Sequence, residues 1–170
     1  MEQSLILNGQ QVEQKLLRMS QELIELHYGT QHEVIFIGIK EMGFEIAQTL
    51  FHFFKSNTDI PCRLESIQFE KRKSKANFEF SGSTQQLKKK SIVIVDDVIN
   101  SGLTLLHATH FILEAEPSRI SVATLVNREH RTFPIFVNVV GLTLSTNLKE
   151  HVSVVKKDNQ FEAYLGNKIS

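Results

Sequence analysis

The chain has 170 residues, 41% of them hydrophobic and 22% charged, and its 19 acidic side chains balance 19 basic ones. That length suits one domain with a real core, and the zero net charge leaves no global pull toward nucleic acid or membrane, though a local basic patch remains open. A single cysteine, Cys62, excludes an internal disulfide and any multi-cysteine metal site.

"SLILNGQQ" reads as a short strand and a turn. Val12, Leu16, Met19, Leu23 and Leu26 then recur at steps of four and three, which predicts an amphipathic helix ending near Gly29. "EVIFIGIK" is a continuous apolar, β-branched run, the pattern of a strand covered on both faces. "EMGFEIAQTLFHFFK" follows as a helix, with Phe51, Phe53 and Phe54 assigned to core or to a dimer face. "IPCRLESIQFEK" alternates loosely and reads as a strand, and the basic, poorly patterned "RKSKANFEFSGSTQQLKKK" as a mobile loop or hairpin. "SIVIVDDV" is the next buried strand, and "SGLTLLHATHFILEAE" a helix closed before Pro117. "RISVATLVNR" and "FVNVVGLTL" are strands, and "VSVVKKDNQFEAYLG" a last strand or hairpin. Strands alternating with helices predict right-handed crossovers and a mainly parallel sheet covered on both sides. The N-terminus has no basic start leading into an apolar run, and no stretch nears the roughly 20 apolar residues of a membrane helix. A cytoplasmic protein with one domain over residues 1–170 is therefore expected.

The chemistry concentrates in "SIVIVDDVINSGLT", residues 91–104. In an open α/β sheet ligands bind beyond the carboxyl ends of the strands, and Asp96 and Asp97 are expected at such an end. The turn Asn100–Thr104 opens the next helix, whose exposed N–H groups and positive dipole end suit a phosphate. Gly102 lets the backbone come close, while Ser101 and Thr104 offer hydroxyls. Two carboxylates a few ångströms from a phosphate cradle suit vicinal hydroxyls, or a magnesium ion bound to them; a phosphorylated sugar presents all these groups. The bland alternative is a pair of acids capping the next helix. The run is neither a Walker loop nor a dinucleotide fingerprint.

"IVIVDDVINSGLT" resembles the thirteen-residue signature of the type I phosphoribosyltransferases, which join a base to 5-phosphoribosyl-1-diphosphate and release pyrophosphate. The resemblance implies an α/β fold with a mainly parallel twisted sheet flanked by helices and a small hood or flap. It places the ribose hydroxyls on Asp96 and Asp97, with Mg2+ held there indirectly through the ribose. It places the 5-phosphate on Asn100, Ser101, Gly102, Leu103 and Thr104. "IFIGIKEMGFEIA" resembles the family's pyrophosphate loop, filled here by Lys40, Glu41, Met42 and Gly43; the family often holds a non-proline cis peptide there. Within the family the chain resembles the pyrimidine-operon attenuators that are also uracil phosphoribosyltransferases. That likeness implies a homodimer, with the first helix as one possible interface, and a base pocket near Val140 and Gly141.

Several positions depart from that subfamily. Glu41-Met42-Gly43 stands where it usually has Thr-Arg-Gly, and Leu103 where its phosphate loop has arginine. The Tyr-Arg-Asp-Asp catalytic-loop pattern is gone, leaving Lys71, Arg72, Lys73 and Lys75 as cations for a flap, or simply as a solvated charged loop. Thr143, Ser145, Thr146 and Asn147 can bond a base edge or their own loop backbone. RNA binding would use Arg18, His130 and Arg131, but Glu13, Glu22 and Glu25 on the first helix and the neutral net charge do not favour it. Two readings remain beside the enzyme: a non-catalytic nucleotide or phosphoribosyl-diphosphate sensor, and an α/β domain without a ligand. The seven histidines never take a metal spacing with cysteine, and Cys62 has no nucleophile context.

Overall fold

A computed structural model describes residues 3–72, 75–147 and 150–167. The elements run β1 (Ser4–Leu7), α1 (Gly9–Leu26), β2 (Val34–Ile39), α2 (Met42–Asn57), β3 (Cys62–Arg72), β4 (Lys75–Phe80), a 3-10 turn (Thr84–Leu87), β5 (Ser91–Ile99), α3 (Leu103–Leu113), β6 (Arg119–Arg128), β7 (Val139–Leu144), β8 (Glu150–Lys157) and β9 (Gln160–Asn167). Six strands form the main sheet in the order β4-β3-β2-β5-β6-β7, parallel except for β4. A second, antiparallel sheet joins the chain's two ends in the order β1-β9-β8. It is a hood, in which β8 and β9 form the hairpin offered for the last segment of the sequence, while their union with β1 has no local signal.

All six residues of β2 are buried, as its unbroken apolar run requires. The period of two still sorts them. Phe36 joins the core under α1 and α2 with Leu16, Met19, Leu23, Leu50 and Phe54. Ile35 and Ile37 face the other way, with Ile92, Ile94, Leu105, Ala108 and Ile112 of β5 and α3. Helix α1 starts at a capping box, in which Asn8 Oδ1 accepts from the Gln11 N–H and Gln11 Oε1 accepts from the Asn8 N–H, both at 2.9 Å. Phe54 is fully buried and Phe51 packs edge-on against Phe36 at 6.1 Å, so this aromatic group serves the core.

Two segments differ in detail from the sequence reading, and a third takes one of its two alternatives. The basic stretch after β3 is a hairpin, because Phe78 and Phe80 alternate onto one face and meet Phe111 of α3 at 5.1 and 6.2 Å, while Phe69 stacks on His107 at 5.3 Å. Strand β7 starts at Val139, three residues later than expected. The Asn138 side chain takes the ladder position before it, accepting from the Val122 N–H at 2.9 Å. Helix α3 starts at Leu103, because Gly102 before it is left-handed.

Candidate functional site

The carboxyl ends of β2, β5, β6 and β7 face the same edge of the main sheet, and the predicted chemistry gathers there. Strand β5 continues through Ile99, so Asp96 and Asp97 lie inside its last four residues and not at its tip. They remain part of the ladder, with Asp96 opposite Thr124. Asp96 Oδ1 accepts from the Asp97 N–H at 3.0 Å, and Thr124 Oγ1 donates to the Asp97 carbonyl at 3.2 Å. Burial, then the neighbouring Asp97 charge, push the Asp96 carboxyl well above the usual carboxylate range. Burial also raises Asp97, although backbone N–H donors and the nearby His151 work against it. Two acids that are costly to ionise together are poised to accept hydroxyl donors or a cation.

The loop that follows is shaped for close approach. Gly102 has φ +83°, a conformation that side chains with a Cβ resist. A Cβ there would also lie 3.0 Å from the Phe133 carbonyl oxygen and 3.1 Å from Ile135 Cγ2. The Phe133 N–H donates to the Ser101 carbonyl at 2.9 Å, and the Leu103 N–H to Ser101 Oγ at 3.3 Å. The segment after β6 thus backs the loop, leaving Asn100 and Ser101 exposed with Leu103 and Thr104 in the first turn of α3.

The loop at the end of β2 reaches the acids from the other side. The Lys40–Glu41 peptide is cis, as the family likeness implies, and the Lys40 N–H donates to the Ile67 carbonyl at 2.9 Å. Lys40 and Glu41 are exposed, Met42 packs on the core, and Gly43 is buried. A Cβ on Gly43 would lie 3.0 Å from the Val95 carbonyl oxygen, 3.1 Å from Asp96 Cα and 3.2 Å from Asp96 Oδ1. The N-terminus of α2 therefore abuts the acid pair directly.

Other expected residues lie elsewhere. Val140 and Gly141 sit within β7, and their carbonyls accept from Arg18 Nη2 at 2.7 and 3.0 Å. A Cβ on Gly141 would come within 2.5 Å of the Leu125 carbonyl oxygen and 3.1 Å of Met19 Sδ. Gly141 is thus covered by α1 and is not at the strand's carboxyl end. Arg18 also pairs with Glu22, and Arg131 Nη1 donates to the Ile135 carbonyl at 2.6 Å, while His130 is exposed. Lys73 lies outside the described residues, as do the side chains of Lys71, Arg72 and Lys75. Thr143 accepts from Asn127 Nδ2 at 3.4 Å, and Thr146 is buried against Arg128.

Sequence reasoning passed over Arg128 and His151. Arg128 ends β6, the strand beside β5, so the rule that ligands gather at carboxyl ends could have singled it out. His151 has no sequence signal, because the hood strand that carries it reaches Asp97 only through tertiary packing.

A family model described as the phosphoribosyl transferase domain matches residues 2–158. The chain belongs to that family. It is 28% identical over 163 residues to the bifunctional protein PyrR of Bacillus cereus (strain B4264), covering 90% of each chain, and equally similar to that of Bacillus anthracis (strain CDC 684 / NRRL 3495). Hypoxanthine phosphoribosyltransferase from Trypanosoma cruzi, complexed with the product IMP, superposes with a TM-score of 0.79 at 13% identity, covering 98% of this chain and 90% of that one. A hypoxanthine-guanine phosphoribosyltransferase from Bacillus anthracis gives 0.73 at 16%, covering 88% and 86%. At such identities the structural likeness speaks to the fold alone, which is the mixed α/β, mainly parallel architecture expected from the sequence.

The donor set fits magnesium in one way only. Among the described residues no three His, Cys, Asp or Glu side chains converge on a metal position. Asp96 and Asp97 still offer hard oxygen donors short of countercharge. They could hold such an ion together with ligand oxygens, not as a closed protein cage. No helix of the described residues is long and apolar enough to cross a membrane.

Proposed function

We propose that the protein is an active phosphoribosyltransferase, joining a small base to 5-phosphoribosyl-1-diphosphate. The observation that carries this reading is the meeting of three features at one strand end. These are the buried acid pair, the left-handed Gly102 ahead of α3, and the Gly43 turn, whose added Cβ would fall within 3.2 Å of Asp96. In the reaction a base nitrogen forms the bond to C1 of the ribose and releases its proton to solvent. The C1–oxygen bond breaks, and its electron pair leaves with pyrophosphate. Positive charge builds on the sugar ring in between, so the protein's work is positioning and charge balance. Asp96 and Asp97 hold the ribose hydroxyls. Ser101, Gly102 and Thr104 anchor the 5-phosphate at the α3 N-terminus. Lys40 and the backbone at Gly43 receive the diphosphate. Magnesium, held by Asp96 and Asp97 through the ribose and by diphosphate oxygens, would supply neutralising charge.

A pyrimidine, uracil first, is the base supported by the likeness to PyrR; the fold neighbours whose names mention hypoxanthine make a 6-oxopurine the competitor. The same likeness supports a homodimer, and a cytoplasmic setting suits a chain with a single cysteine. RNA binding is less favoured, since Arg18 and Arg131 direct hydrogen bonds to backbone carbonyls of this chain. One observation favours a non-catalytic sensor as the second reading: within the loop Lys40–Gly43 the cation count is one, and Glu41 brings a negative charge. Mixing the protein with phosphoribosyl diphosphate, magnesium and a panel of bases, and measuring pyrophosphate release, separates the two. Turnover lost in Asp97→Asn supports the enzyme; nucleotide binding without release supports the sensor.

A further inference from the structure

Arg128 uses all three guanidinium nitrogens, on three acceptors in two parts of the site's rim. Nη1 donates to Asn100 Oδ1, the first residue of the phosphate loop, at 2.8 Å. Nε donates to Thr146 Oγ1 at 2.8 Å and Nη2 to the Asn147 carbonyl at 3.1 Å, both in the loop after β7. Thr146 is only 5% exposed, so the Arg128 bond satisfies a hydroxyl that water scarcely reaches. The loop has a scaffold beyond that point: Glu150 Oε2 accepts from the Asn147 N–H at 2.8 Å, and Asn147 Oδ1 accepts from the Glu150 N–H at 3.1 Å. The hydrogen bonds therefore form a path from the phosphate loop to Arg128, to the loop after β7 and on to the first residue of the hood strand. A lysine, with one compact ammonium, cannot span three such acceptors.

We infer that Arg128 is a positioning residue that couples the phosphate loop to the loop after β7, so that a ligand touching both is held better than the sum of its parts. This rests on the phosphoribosyl reading above and deepens it. The ligand class that spans both loops is a nucleoside 5′-monophosphate, with its phosphate over Asn100–Thr104 and its base toward residues 144–147. Ribose 5-phosphate reaches the first loop and the acids alone. The coupling acts on the nucleotide and leaves the sugar phosphate nearly untouched.

The test is calorimetric titration of ribose 5-phosphate, uridine 5′-monophosphate and inosine 5′-monophosphate, each with magnesium, into wild type, Arg128→Met, Arg128→Lys and Thr146→Val. Arg128→Met weakens at least one nucleotide about tenfold, within the range of coupling between linked sites, and changes ribose 5-phosphate less than twofold. Arg128→Lys recovers part of the loss, and Thr146→Val reproduces it without touching the guanidinium. If Arg128→Met does not fold, the other two variants carry the same comparison. Equal losses for sugar phosphate and nucleotide, or no loss for either nucleotide, overturn the coupling while leaving the phosphoribosyl reading intact. A wild type that binds none of the three overturns that reading, and the coupling with it.

Discussion

Replacing Gly102 by alanine tests the shape of the phosphate loop against a matched control. Two costs are expected. The backbone at φ +83° resists any Cβ, by about 1–2 kcal/mol. The new methyl would also press on the Phe133 carbonyl oxygen at 3.0 Å and on Ile135 Cγ2 at 3.1 Å, an overpacking cost of about 1–3 kcal/mol. Gly29 shares the conformation, at φ +73°, but a Cβ there meets nothing within 4 Å, so Gly29→Ala carries the backbone cost alone. For a chain of 170 residues, each 1 kcal/mol moves the melting temperature by roughly 2–4 °C. Gly29→Ala should lose about 2–8 °C and Gly102→Ala, which carries both costs, about 4–20 °C. Calorimetric melts of both variants give the comparison, and titration with ribose 5-phosphate adds a functional reading, lost in Gly102→Ala and kept in Gly29→Ala. A Gly102→Ala melt no lower than that of Gly29→Ala would refute the claim that the segment after β6 backs the loop.

Two further outcomes follow from buried titratable groups. His27 is 1% exposed; its Nδ1 faces Ser91 Oγ at 3.2 Å and its Nε2 is buried with no partner among the described residues. Burial, then the charge of Arg119, lower its pKa to about 4. The unfolded chain therefore takes up a proton near pH 6.5 that the fold refuses, so the stabilisation is fully present above about 6.5 and fades as pH falls toward 4. Urea melts should lose about 2–3 kcal/mol over that window, with the loss largely removed in His27→Leu; an unchanged slope in that variant would show that another group sets it. At the acid pair the sign is opposite, since a raised carboxyl makes ionisation a burden on the fold at neutral pH. Asp96→Asn should raise the melting temperature of the free protein by a few degrees and abolish the further gain that phosphoribosyl diphosphate and magnesium give wild type; a lower melt in the free variant counts against the strained pair.

The parts of the fold that local pattern dictates were legible. Steps of three and four in "VEQKLLRMSQELIEL" locate α1 because one stripe of that helix faces Phe36 and Phe54, and "VIFIGI" locates β2 because both its faces are covered. Segments whose structure depends on distant partners read less clearly. The hairpin β3–β4 owes its order to rings on α3, so its charged sequence suggested mobility as readily as pairing. The hood joins residues about 150 positions apart, a pairing such as Leu5 with Tyr164 that periodicity cannot express.

The site divides along the same line. Asp96, Asp97 and Gly102 fall within one short stretch of the sequence, so a single motif contains them. Gly43 belongs to a second motif, and its significance is the fit against Asp96, which only the packing of α2 on β5 creates. Val140 and Gly141 illustrate the reverse case. A likeness assigned them to the base, yet their carbonyls answer Arg18, because α1 lies over that edge of the sheet. The proposed contact with a base falls further along the strand direction, at Leu144–Asn147, where Arg128 and Thr146 meet. A residue that joins two loops has no local signature in either of them, which is why Arg128 went unseen in a sequence whose motif contains the Asn100–Thr104 turn beside it.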